Sequence, residues 1–388
     1  MDEILKLNAD EMSGISFDCS CGRRHTVDIK RIIIGKDTDH EIVNIASGYK
    51  DGRIFFMADD NTYRAYGSKV EALLNRNGFS LKSHIFHDKH LAPDEKAVGR
   101  LLLEMEKETA LIISVGSGSL NDMAKLLSYK LEIPYIIAGT APSMDGYASI
   151  GAPIIVDGLK WTYDAVYPHA IIIDLEVVKQ APLELVHAGF GDIIGKFTAL
   201  ADWELSRRLT GEYYCETSVR LVRNALEKCI SNVEGIVKRD EKAMKYMAEA
   251  LIFSGVAMGL VGISRPASGA EHHLAHYWEK EALIKGRDYP LHGKSVGVGS
   301  VIISTIYRLM SEEIPDGINV PEPEYITSLL KRVGGPDNPA ALGVSREVFR
   351  DSILHAMEVR PRFTILRLAS DRGRLEELAE ILTGRLYG

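Results

Sequence analysis

The sequence predicts an α/β protein: an N-terminal Rossmann-like parallel-sheet domain followed by an all-helical C-terminal domain. Three observations carry that expectation. Through the first half, short β-rich runs alternate with helical patterns, the signature of a parallel sheet covered by helices. From Leu183 onward the periodicity is helical, with few β-branched runs and with loops marked by Pro and Gly over 314–323 and 334–339. The chain of 388 residues has length enough for more than one domain. The division is expected near residue 180, giving units of 1–180 and 181–388.

In chain order, residues 53–58 (RIFFMA) read as a strand, 62–76 as a helix and 83–87 as a second strand. A polar helix around 94–108 leads into the strand 111–115 (LIISV), and 133–137 and 170–173 continue the set. Residues 146–162, rich in glycine and apolar side chains, fit a hairpin or a lid. The longest uncharged run, 250–264, has 15 residues and three glycines. A membrane span needs roughly 20 apolar residues, so this run is expected as a buried helix. Residues 375–386 place apolar side chains at third and fourth positions, the stripe of an amphipathic last helix.

Composition narrows the function classes. A formal net charge of −8 argues against a nucleic-acid surface, which needs clustered Lys and Arg against phosphates. A local basic pocket for one small phosphate remains compatible with it. Four cysteines (Cys19, Cys21, Cys215, Cys229) are too few and too scattered for a disulfide framework. The opening MDEILKLNADEM is acidic and lacks the apolar centre of a secretory signal. A soluble, cytoplasmic protein is expected.

The segment 114–125 (SVGSGSLNDMAK) follows a strong strand and opens a helix. Gly116 and Gly118 would let backbone approach a pyrophosphate, and the helix start offers free N–H groups and a positive dipole end. The same residues also suit a plain strand-to-helix turn. Ser119 and Asp122 have capping-box-like spacing. The acidic residue of the usual dinucleotide fingerprint would follow the glycines; here Asp59, in MADDNT, lies well upstream. Asp59 would receive ribose hydroxyls if the two strand ends are neighbours, and otherwise Asp59 and Asp60 are solvated turn residues. A second turn, 140–149 (TAPSMDGYAS), follows the strand 133–137, where loops of open α/β sheets line the ligand crevice.

The run SGAEHHLAHYWE, followed by LHGKSVGVG, concentrates imidazoles. His272 and His276 are four apart and share a helix face, while His273 points about 100° away. His292 arrives after a loop and directly precedes a glycine. One carboxylate with two neutral histidines would hold Zn, Ni or Fe and leave positions open for substrate; unrelated polar residues on a helix surface are the competing account. Asp192, in GFGDIIGKF, is the best carboxylate partner. It is read at an apolar helix start, where an unpaired charge is expensive, with N-capping as its alternative role. Cys19, Cys21 and His25 look like part of a metal site without a fourth ligand, and are left as structural or incidental.

In the order MADDNT, GSGSLNDMAK, TAPSMDGYAS, GFGDIIGKFTALADW, SRPASGAEHHLAHYWE and LHGKSVGVG, the chain resembles the glycerol-1-phosphate dehydrogenases, most closely their bacterial branch. That branch lies within the larger group of iron-type alcohol dehydrogenases, glycerol dehydrogenases and dehydroquinate synthases. The resemblance implies an active site in the cleft between the two domains. It implies that Asp59, Gly116, Ser117, Gly118, Ser119, Leu120, Thr140, Ala141, Pro142, Ser143 and Ser149 contact NAD(P). Ser117 departs from the third glycine that many relatives carry. Asp145, Asp192 and His276 would touch substrate, with Asp192 and His276 catalytic, and Asp192, His272 and His292 would hold one divalent metal. Arg265 is the candidate for the substrate phosphate. The implied reaction interconverts dihydroxyacetone phosphate and sn-glycerol 1-phosphate in a homo-oligomer, a dimer or larger. A glycerol dehydrogenase acting on unphosphorylated glycerol, a dehydroquinate-synthase-like lyase and a non-catalytic nucleotide-binding module are the alternatives.

Overall fold

The computed structural model describes residues 3–88 and 90–388, so the first two residues of the acidic opening lie outside it. A small antiparallel hairpin, β1 (Ser16–Asp18) and β2 (Arg24–Thr26), precedes the main sheet. Six parallel strands then form that sheet: β3 (Arg31–Gly35), β4 (Arg53–Asp59), β5 (Ser80–Phe86), β6 (Thr109–Gly116), β7 (Tyr135–Gly139) and β10 (Ala170–Asp174). Their order is β3-β10-β7-β6-β4-β5. Strands β7 and β10 are buried at every residue, which is why a parallel sheet reads as unbroken apolar runs and not as alternation. Residues 146–162 do contain a hairpin, β8 (Gly151–Val156) against β9 (Leu159–Asp164).

Each expected strand forms, with shifted ends. The run expected at 133–137 lies at Tyr135–Gly139, because Pro134 precedes it and cannot donate to the ladder. The expected helix 62–76 begins earlier, at Asp60, and carries a π-helical stretch, Tyr63–Gly67, before continuing over Ser68–Arg76. The helix expected over 94–108 is Glu95–Glu104, capped by the Asp94 carboxylate on the Ala97 N–H at 2.8 Å. The strand β3 and the hairpin β1–β2 were not anticipated; their apolar runs are too short to stand out.

After β10 the described chain is helical. The helices that build the site are α1 (Gly118–Leu131), α2 (Leu183–Ile194), α3 (Lys196–Thr210), α4 (Glu216–Ile230), α5 (Glu241–Val261), α6 (Ala270–Ile284) and α7 (His292–Leu309). The uncharged run 250–264 forms the second half of α5 and the turn beyond it. Among the described residues α5 alone is long and apolar enough to cross a membrane, and it is mostly buried inside the fold. The amphipathic last helix is Leu375–Tyr387, with Leu378, Ala379 and Leu382 buried.

One apolar core is continuous across the two halves. It runs from Phe55, Met57 and Ile112 on one sheet face, through Met123 of α1, to Val186 and Phe190 of α2 and Met247 of α5. A second core, around Trp278, Ile303, Phe349 and Leu378, belongs to the C-terminal helices alone. Residues ahead of β3 pack on the helical half: Cys21 Sγ lies 3.2 Å from the Tyr213 hydroxyl.

Helices α2 and α7 meet backbone to backbone. A methyl group at Gly293 would overlap the Ala188 carbonyl, and one at Gly191 would overlap the Gly293 carbonyl. Glycine is required there by space, and the contact sets the end of α2 beside the start of α7. That places Asp192 next to His292.

Candidate metal centre and nucleotide cleft

Three segments meet at the C-terminal ends of neighbouring strands. Strand β6 pairs with β4 on one side and β7 on the other, and Gly116 is in register with Gly139. The chain runs from β4 out to β5 and then crosses back to β6, so the strand order reverses between β4 and β6. Ligands of open α/β sheets bind at such a point. Asp59 at the end of β4, the turn 116–120 and the turn 140–143 are therefore brought together. The Thr140 N–H donates to the Gly116 carbonyl at 3.0 Å.

The expected Ser119–Asp122 capping box is absent. Ser117 is the N-cap of α1 and makes no side-chain cap, so the first N–H groups of a 14-residue helix are left for a ligand. Asp122 instead faces Lys125, whose ammonium is fully buried, 3.4 Å away. A β-carbon at Gly118 would meet only the Met144 side chain, at 3.6 Å, so the protein's own packing does not demand glycine there. Asp59 ends β4 and caps the following helix: its Oδ1 accepts from the Asn61 and Thr62 N–H groups, each at 2.9 Å. Its Oδ2 is left for another partner.

Asp192, His272 and His292 converge. Their donor atoms lie within 4.8 Å of one another, and the rings of His272 and His292 are 5.1 Å apart. Asp192 corrects one expectation. It sits in the last turn of α2, not at a helix start, and so cannot be an N-cap. The glycines on either side of Phe190 lie inside the helix, where α2 packs tightly on Pro142 and α7. His272 Nδ1 donates to Glu271 at 2.8 Å, which turns Nε2 toward Asp192.

Lys196 stands 3.0 Å from Asp192 and 2.8 Å from Asp145, whose own N–H donates to Asp192 at 3.0 Å. Burial disfavours the Lys196 charge, but the two carboxylates more than offset this and hold it protonated. Burial and the Asp145 charge push Asp192 up, against the pull of Lys196 and His292. Burial, with Lys196 beside it, keeps His272 well below the usual imidazole range, and burial lowers His292 as well. Two neutral imidazoles, and two carboxylates against one ammonium, leave a buried site one positive charge short. That donor set fits a divalent cation.

Relatives that carry the name of an enzyme match this sequence over nearly the whole chain. The glycerol-1-phosphate dehydrogenase [NAD(P)+] of Bacillus subtilis is 33% identical over 90% of this chain and 93% of its own. The chain belongs to the glycerol-1-phosphate dehydrogenase family. The enzyme of that name from Methanosarcina acetivorans is 32% identical, covering 90% of this chain and 94% of its own. Residues 33–182 match the family described as iron-containing alcohol dehydrogenase. In fold the family member is similar to glycerol dehydrogenase from Schizosaccharomyces pombe, at a TM-score of 0.67 and 18% identity over 91% of this chain and 90% of that one. It is also similar to NADH-dependent butanol dehydrogenase A from Thermotoga maritima, at a TM-score of 0.69 and 15% identity over 95% and 99%.

In this glycerol-1-phosphate dehydrogenase family member, several polar residues around the cleft were not picked out by pattern. Lys125 donates to the Gly146 and Gly151 carbonyls at 2.8 and 2.9 Å and to Ser149 at 3.0 Å, tying the second turn to α1. Glu279 binds Lys160 at 2.5 Å and lies 3.5 Å from His276 Nδ1, which orients the ring of His276. His276, Glu279 and His292 also form a compact donor trio. The two trios share His292. His273 is fully buried with neither ring nitrogen partnered, so it is part of the core and not a surface reference.

Arg265 is a second correction. Its guanidinium is consumed by Glu212 at 2.8 Å, the Phe363 carbonyl at 2.9 Å and Ser206, so it is not free for a phosphate. Two arginines beyond the motif series are. Arg360 donates to His276 Nε2 at 3.3 Å, and Arg362 donates to Ser264 at 2.6 Å and to the Ser268 carbonyl. Neither is ion-paired among the described residues. Burial, then the neighbouring charges of Arg360 and Arg265, pulls Arg362 down to about 9.

Proposed function

We propose that this chain transfers hydride reversibly between NAD(P)H and C2 of dihydroxyacetone phosphate, giving sn-glycerol 1-phosphate. The observation that carries the phosphorylated substrate is a pair of guanidiniums without carboxylate partners among the described residues: Arg360 on His276, and Arg362 on Ser264 and the Ser268 carbonyl. Planar guanidinium forks match phosphate oxygens. Unphosphorylated glycerol would leave both charges unmatched.

The residues divide the work as follows. Asp59, Gly116 to Leu120, Thr140 to Ser143 and Ser149 receive the nucleotide, which supplies the hydride when bound. Asp192, His272 and His292 hold a divalent ion, which supplies Lewis-acid polarisation of the substrate oxygen when bound. Asp145 positions the reacting end, sharing Lys196 with Asp192. His276, kept neutral by burial and held between Glu279 and Arg360, orients the substrate and passes a proton to or from solvent. One carboxylate and two imidazoles suit Zn, Ni or Fe. The assignment further takes 1–180 as the nucleotide-binding unit and 181–388 as the metal- and substrate-binding unit of a cytoplasmic homo-oligomer.

The deciding assay follows NADH and NADPH oxidation with dihydroxyacetone phosphate, and with dihydroxyacetone, after loading with Zn, Ni or Fe. Equal turnover of the two ketones would sink the phosphate assignment. Gly118→Val, whose β-carbon meets only the Met144 side chain, should raise the NADH dissociation constant by at least about tenfold, about 1.4 kcal/mol, with metal content unchanged. An unaltered NADH titration would reduce the loop to a turn. His276→Ala should keep metal and nucleotide while losing about 10²–10⁴-fold in turnover. Loss of metal from it would move His276 into the ligand set. His273→Ala should cost stability and keep its metal, as a core truncation would.

A further inference from the structure

A second group of metal-ligating side chains lies outside the cleft. Cys19 and Cys21 sit in the turn of the β1–β2 hairpin, His25 lies on β2, and Cys215 is the N-cap of α4. Cys19, His25 and Cys215 are buried. All four donor atoms lie within 4.8 Å of one another. Cys19 Sγ and Cys215 Sγ are 3.8 Å apart, and His25 Nε2 is 3.2 Å from Cys21 Sγ and 3.4 Å from Cys215 Sγ. Zinc bonds of about 2.3 Å to sulfur and about 2.0 Å to nitrogen make tetrahedral S···S and S···N edges of roughly 3.8 and 3.5 Å. The measured separations match those edges. A disulfide would bring two sulfurs to about 2.05 Å, and no pair here approaches that.

We propose that Cys19, Cys21, His25 and Cys215 form a closed structural site for one tetrahedral zinc ion, separate from the catalytic metal. The sequence alone shows three of these residues; the fold delivers the fourth from 190 positions beyond His25. Binding displaces thiol protons to solvent and leaves three thiolates and one neutral imidazole around the ion. The surroundings suit a site of that charge. Thr217 Oγ1 lies 3.3 Å from Cys19 Sγ, and the Tyr213 hydroxyl lies 3.2 Å from Cys21 Sγ. The Arg23 guanidinium covers the Tyr213 ring at 3.5 Å. Cys215 stands at the positive end of a 15-residue helix. Gly22, at φ +83, lets the chain turn straight after Cys21 so that His25 returns to the same point. Four protein ligands leave no open position, so the ion takes no part in the reaction. It staples the segment ahead of the main sheet to the start of α4.

The test counts metal in purified chain that has been loaded with zinc and desalted. Two equivalents are expected in the native chain, one in Cys21→Ser or Cys215→Ser, and one in His292→Ala. Cys229→Ser, a buried cysteine outside the cluster, should keep two. Cobalt loading separates the sites further. Thiolate-to-cobalt charge-transfer absorption should persist in His292→Ala and vanish in Cys215→Ser, so failure of this site is distinguishable from failure of the catalytic one. If the cysteine variants do not fold, an organomercurial added to the native chain should release one equivalent to a chromogenic chelator. A single equivalent that His292→Ala abolishes, or a Cys19–Cys215 disulfide in non-reducing peptide maps, would overturn the proposal.

Discussion

His292→Ala is expected to fold normally, lose the cleft metal and lose at least about 10³-fold in turnover, roughly 4 kcal/mol of transition-state stabilisation. The side chain stands half-buried at the first position of α7, so its truncation opens little of the core. The backbone contact that fixes α7 against α2 belongs to Gly293 and Gly191, not to the imidazole. What is lost is one donor of three. Asp192 and His272 would remain, with Lys196 as the competing cation 3.0 Å from Asp192. Metal analysis together with thermal unfolding decides the matter. A variant that retains cleft metal at native stoichiometry, judged against the cysteine-site variants, would remove His292 from the ligand set.

The double variant Arg360→Ala/Arg362→Ala should lose about 10³-fold in kcat/KM with dihydroxyacetone phosphate and much less with dihydroxyacetone, on which only the disturbed orientation of His276 tells. Hydrogen bonds to charged groups contribute about 1.5–3 kcal/mol each, and two guanidiniums facing one phosphate account for a loss of that size. Arg362→Ala alone is the cleaner single change, because Arg360 also touches His276. Removing Arg360 by itself would mix phosphate binding with the orientation of that ring. Equal losses on both ketones would mean that the pair positions His276 and does not read the phosphate.

The sheet was legible because its central strands are buried on both faces and read as short apolar runs between helical patterns. Strand ends were not, since caps such as Asp59 and Asp94 and the π-helical stretch at Tyr63–Gly67 depend on local hydrogen bonds that composition does not announce. The convergence of Asp192, His272 and His292 was legible from histidine spacing and from the motif series. Asp192 was assigned to the wrong end of its helix, because glycine inside a helix reads as a break unless the backbone contact that requires it is seen. Arg265 lay inside a motif and is already paired; Arg360 and Arg362 lay outside every motif, and Arg360 reaches His276. Cys215 illustrates the same limit: nothing near position 25 points to a residue so far along the chain.

The glycine contact between α2 and α7 also bears on how this chain tolerates change. Where one backbone carbonyl fills the volume that a β-carbon would need, no graded series of substitutions exists; the smallest step available is already a clash. Positions 191 and 293 should therefore appear as an all-or-none block in any saturation library, whatever the substrate used for selection. The segment at 360–362 has no such constraint, being half-exposed and held mainly by polar contacts. Variation that alters the substrate head group should accumulate at that segment, while the ligand geometry at Asp192 and His292 is inherited unchanged.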